Sequence, residues 1–106
     1  MFVLFLYSRV HRAAELQLDA AQNHDLDSLE HHGREREEAT RLLWATLEAR
    51  RQSGAGAPST EVQNRVHQIV TDTLDVDSQI RDVLITDLSR RADELRSRIS
   101  RTRVRE

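Results

Sequence analysis

From Ser59 onward the apolar positions, with Thr73 among them, recur in steps of three and four: Val62, Val66, Ile69, Thr73, Val76, Ile80, Leu84, Leu88, Ala92, Leu95 and Ile99. Such steps lay one stripe along a helix and do not describe one face of a strand. Neither Gly nor Pro occurs after Pro58, so nothing breaks the run. Ser59 or Thr60 can cap its first turn, with Gln63 completing a box with Thr60. The pattern predicts a helix over about 60–103, about 66 Å long at 1.5 Å per residue. Its weak point is the stretch from Thr71 to Ser78, which is poor in helix formers. A kink there, or a separate helix capped by Asp77 or Ser78, is the rival to continuity.

Two shorter helices precede it. The first, about 2–21, carries Val3, Tyr7, Val10, Ala14, Leu18 and Ala21 at helical spacing, flanked by Leu6, Ala13 and Ala20. So broad an apolar face packs on more than one side, and its alanines let a neighbour come close. Asn23-His24-Asp25 has the chemistry of a turn: Asn tolerates the left-handed conformation, and Asp25 caps the second helix. That helix, about 26–52, has the stripe Leu26, Leu29, Gly33, Arg36, Thr40, Leu43 and Leu47, widened by Ala39, Leu42 and Trp44. Gly33 costs about 1 kcal/mol relative to Ala in a helix interior. It either admits the first helix closely or marks a bend, and Arg36 stands where a core residue is expected. A loop over 53–59, with Gly54 in the left-handed cap position, returns the chain. The expected architecture is all-α, a single helical domain over 1–106. It is an antiparallel three-helix bundle with a long third helix that can kink.

Lengths then become informative. The second helix covers about 39 Å, so the third runs out of companion near residue 86. Past that point Leu88, Ala92, Leu95 and Ile99 form an apolar stripe with no evident cover, bordered by Arg90, Arg91, Arg96, Arg98, Arg101 and Arg103. Stripes of that length are rarely left in water. A second copy, a different protein or the folded-back tail should cover it.

Composition sharpens this picture in a few places. At 106 residues, with 32% charged and 4% aromatic side chains, the chain suits a seam of aliphatic residues, as in a bundle or coiled coil. It has no cysteine, which excludes disulfides and thiolate chemistry. Residues 90–106 hold seven Arg against three acids, a net of +4, and residues 1–89 hold nine Arg against fifteen acids, a net of −6. A basic end on an acidic body suits an acidic partner or its own body. Phosphate contact is a weaker alternative, because no aromatics are interleaved with the Arg. The apolar run Met1 to Tyr7 lacks the features of a signal peptide and is too short to span a bilayer, so a cytoplasmic protein is expected.

Reaction chemistry finds no foothold. Asp75-Val76-Asp77 begins like a calcium loop, but the loop's Gly at position six is missing and Thr86 stands at position twelve. Asp27, His24, His31 and His32 have spacings seen in zinc sites, but no fourth convergent ligand accompanies them. Paired acids such as Glu37-Glu38 sit on a solvated run, and the serines have no base beside them. Gly54-Ala55-Gly56 lacks the strand and Lys of a phosphate loop. No enzyme activity, metal or cofactor is expected.

Two segments resemble the FliT-like flagellar export chaperones and, more distantly, the FlgN group. Ala20 to Glu30 followed by Glu35-Arg36-Glu37 is similar to that family's helix turn, with a polar break leading to a charged second helix. Val66 to Val70, then Asp77 to Leu84 and Asp87-Leu88, resemble its long third helix, and Leu6-Tyr7 also fits. The resemblance implies a cytoplasmic chaperone that binds a filament-cap-type client before secretion and passes it to the export apparatus and its ATPase. In some relatives it also implies a hold on a transcriptional regulator. The family's separate C-terminal covering helix is not apparent after Ile99. Val76, Ile80, Val83, Leu84 and Leu88 are the positions this resemblance marks as partner contacts, and Ala92, Leu95 and Ile99 join them from the uncovered stripe. For Ile80 and Leu84, packing within the bundle is the competing expectation. The alternatives are a homodimeric coiled-coil module and, more weakly, a nucleic-acid contact through the Arg-rich end.

Overall fold

The structure, a computed structural model, describes residues 2–105, with side chains from Phe2 to Thr102. Met1 of the apolar N-terminal run and the side chains of the last four residues of the basic end lie outside that description. Three helices account for nearly all of the chain: α1 (Phe2–Gln22), α2 (Leu26–Gln52) and α3 (Thr60–Arg105). They form a three-helix bundle in which α1 is the shared member. Val3 and Leu6, near the start of α1, meet Leu43 near the end of α2, so these two helices are antiparallel. His11 reaches Thr73 and His24 reaches Asp87, so α3 runs parallel to α1. The backbones of α2 and α3 nowhere bring Cα atoms within 8 Å among the described residues. The result is a rod measuring 73 × 21 × 20 Å.

The core is thin. Val3, Leu6 and Leu43 are buried together, with Tyr7 and Leu47 packed against them. Along the rest of α1 the buried positions are Ala13, Ala14, Ala20 and Ala21. Small side chains there let both neighbours close on α1, as the alanine pattern predicts.

Each turn has a local cause. Asp25 caps α2, accepting from Ser28 N at 3.1 Å and from Ser28 Oγ at 2.6 Å. The left-handed residue is His24 (φ 56°) and not Asn23, whose side-chain amide instead donates to the Asp19 carbonyl at 2.8 Å. Gly54 adopts φ 73° after α2, the cap conformation that Gly adopts at no steric cost. Ser59 caps α3, its Oγ accepting from Val62 N at 3.3 Å. Gln63 donates to the Pro58 carbonyl at 2.9 Å and makes no box with Thr60.

The weak stretch of α3 is unbroken. Thr73 and Val76 are buried there and Thr73 Oγ1 donates back to the Ile69 carbonyl at 2.7 Å, so packing overrides propensity. The centre of the bundle is polar for a related reason. Arg36 of α2 donates to both carboxylate oxygens of Asp77 on α3, at 2.6 and 2.8 Å, and to Gln17 Oε1 on α1 at 3.1 Å. The Asp77 carboxylate holds the Arg36 guanidinium above its ordinary pKa, against the opposing effect of burial. Gly33 lies one turn away, where an added Cβ would stand 3.3 Å from the Gln17 amide nitrogen. Gly33 therefore marks a close approach of α1. Arg36 fills the apparent core gap by tying one side chain from each helix.

Candidate partner-binding surface

The hydrogen bond from His24 Nδ1 to Asp87 Oδ2, at 3.0 Å, is the last link between α3 and its companions among the described residues. From Leu88 to Thr102 every residue is exposed. The helix beyond Asp87, residues 88–105, projects about 27 Å at 1.5 Å per residue. Leu88 is 65% exposed, Leu95 58% and Ile99 48%, values that leave about half or more of each residue in water. Ala92 lies between them and is also exposed.

The other candidate contacts are placed differently. Val76 is buried in the bundle, so it is a packing residue and is corrected out of the accessible set. Ile80 and Val83 are half-buried, and Leu84 sits at the border with 37% exposure. Ile85, which the single-stripe reading passes over, is 54% exposed.

The reason is a change of face. The body-facing positions Val66, Ile69, Thr73, Val76, Ile80, Val83 and Asp87 continue in register to Arg90, Glu94, Ser97 and Arg101, which are all polar. The exposed apolar set is Ile85, Leu88, Ala92, Leu95 and Ile99. At 100° per residue its centre lies roughly 110° around the helix from the body-facing set. What reads as one stripe is two. The sequence signal is the run of successive four-residue steps Ile80, Leu84, Leu88 and Ala92, each advancing about 40°.

Arg residues border the exposed seam. Arg90 reaches Asp87 and Arg96 reaches Asp93, both at 3.5 Å and both exposed enough to be weak. Arg91 and Arg98 have no ion pair among the described residues.

Two other features bear on function. An apolar groove of ≈ 370 Å³ opens between α2 and α3 over α1, lined by Val3, Tyr7, Leu47, Val62, Val66 and Val70. It exists because α1 keeps the other two helices apart, and Trp44 and Leu74, both exposed, lie in the adjoining groove further along α2 and α3. Sequence periodicity did not reveal it. Among the zinc candidates, His31 and His32 converge on Glu35, with His32 Nδ1 2.7 Å and His31 Nε2 3.3 Å from the same carboxylate oxygen. The hydrogen bond with His32, helped by the nearby charges of His31, His32 and Arg9, holds the Glu35 carboxyl below its usual pKa. His24 is instead engaged with Asp87.

No protein-family model, curated protein or solved structure matches the chain. Among the described residues no helix is long and apolar enough to cross a membrane.

Proposed function

We propose that this chain is a non-enzymatic helix-binding protein. In this reading α1 and α2 anchor a long α3, and the projecting end of α3 buries an amphipathic helix of a client. The observation that carries it is the unbroken exposure of residues 88–102 with Leu88, Leu95 and Ile99 on one side. The contacts proposed are Leu84, Ile85, Leu88, Ala92, Leu95 and Ile99. From the resemblance to FliT-like chaperones we take the client to be a filament-cap-type protein, held in the cytoplasm before the export apparatus receives it. A chain ending at Asp87 should keep the bundle and lose capture of a C-terminal filament-cap segment in a pull-down. Capture retained by the shortened, folded chain removes the reading.

A homodimeric coiled coil is the second reading, favoured by the regular alternation of three- and four-residue steps from Ile85 to Ile99. Light scattering separates the two, since a tight dimer through this seam leaves no room for a client.

A further inference from the structure

On the reading of the α3 projection as a helix-binding surface, we infer that its partner is an acidic amphipathic helix and that a second copy of this chain is excluded. The seam has coiled-coil geometry. Ile85, Ala92 and Ile99 take the first core position of each heptad, and Leu88 and Leu95 take the fourth. In that register Arg91 and Arg98 fall at the flanking position before the core, and Arg96 falls at the flanking position after it. The acids of this stretch, Asp93 and Glu94, fall at the outer positions, away from the seam. A partner helix therefore meets apolar side chains edged on both sides by guanidinium groups.

Self-pairing collides with that arrangement. A parallel pair sets Arg91 opposite Arg96 of the second copy, and an antiparallel pair sets Arg91 opposite Arg98. Flanking charges decide which coiled-coil partners are accepted, and like charges across the seam oppose association. A helix with Glu or Asp at its flanking positions turns each collision into an ion pair while covering the same apolar residues. Nucleic acid would satisfy the Arg but leave Leu88, Leu95 and Ile99 in water. The chain's own acidic body cannot supply the cover, because the seam starts beside the turn where α1 ends and α2 begins, and faces roughly 110° away from the body-facing set at 100° per residue. The complementary helix needs about 18 residues to run alongside 85–102.

The test uses the full chain and labelled three-heptad peptides with Leu and Ile in the core, one carrying Glu at every flanking position and the other Lys. Sedimentation should give a monomer. Anisotropy should show the Glu peptide bound in preference to the Lys peptide by on the order of tenfold or more. Reversing the edge with Arg91→Glu, Arg96→Glu and Arg98→Glu should invert that preference. Mixed with the unaltered chain, the reversed variant should form a one-to-one pair that neither forms alone. Leu88→Ser with Leu95→Ser should abolish binding while the melting curve of the bundle stays in place, since both positions are fully outside it. Self-association of the unaltered chain that Leu95→Ser removes, equal binding of both peptides, or oligonucleotide binding that survives the Leu→Ser changes would each overturn the proposal. Should the filament-cap segment bind the seam while the Glu peptide does not, the helix-binding reading stands and the acidic partner falls. The opposite result keeps the acidic partner and removes the flagellar client.

Discussion

One helix lives in two environments here. Up to Asp87, α3 lies against α1, with Thr73 and Val76 buried and Asp77 and Asp87 engaged by Arg36 and His24. Past Asp87 the same helix continues into water with a fresh apolar side. The contrast separates two things that are easily merged, forming a helix and burying one. Propagation from an established helix costs little, so the projection needs no companion to stay helical. Its exposed Leu and Ile are a separate matter, and they are what call for a partner.

The largest expected effect tests that division directly. Leu6 is 0% exposed at the centre of a core with few members, so Leu6→Ala should lose about 2–5 kcal/mol of stability. Leu95→Ala, a similar deletion on the projection, should change stability by less than about 0.5 kcal/mol. Urea melts of the two variants side by side measure the difference. A comparable loss at Leu95 would mean that the seam is already covered within the molecule.

Next in size is the polar tie that holds the body. Arg36→Ala leaves Asp77 and Gln17 without their shared donor, but both charged groups keep partial contact with water, which screens the pair. A loss of about 1 kcal/mol is expected, with a coupling of roughly 0.5–1 kcal/mol to Asp77→Ala in a double-mutant cycle. Zero coupling would reduce the contact to a surface pair of no consequence. Gly33→Ala, one turn away, should come out stabilising by about 0.5 kcal/mol in a thermal melt. The gain in helix propensity exceeds the cost of moving the flexible end of Gln17 by a few tenths of an ångström.

How much of this was legible in the sequence depends on the range of each signal. Hydrophobic periodicity and the breaks at Asn23–Asp25 and Gly54–Pro58 located three helices, because apolar spacing and turn chemistry are local properties. The overlong third helix came from counting residues. Periodicity misread the face of α3, since steps of four are acceptable one at a time and only their succession rotates the stripe. It also left Asp77 without a partner and Arg36 as a flaw, because a side chain's partner on another helix is a property of the register between helices. The groove between α2 and α3 was hidden for the same reason. It depends on α1 sitting between them, which no single helix encodes.

The smallest expected effect concerns acid and starts in the body. The Asp25 carboxyl is held below its ordinary pKa of 3.8 by hydrogen bonds from the Ser28 hydroxyl and the Ser28 backbone N–H. A carboxyl whose pKa is lower folded than unfolded stabilises the folded chain fully above the unfolded value, and that contribution fades as pH falls through the folded one. The cap's share of stability should therefore be constant from neutrality down to about pH 4 and decline below 3.8. Asp25→Asn keeps a good cap but cannot titrate. The two proteins should melt alike at neutral pH, and the unaltered chain should lose ground to the variant as the pH drops below 3.8. A difference between them that stays flat with pH would mean that the carboxylate charge plays no part at this cap. Because Asp25 closes the turn beside Asp87, a loosened cap should also free the foot of the projection. Hydrogen exchange at residues 84–88 should then rise more in acid for the unaltered chain than for the variant, which keeps the same His24–Asp87 contact.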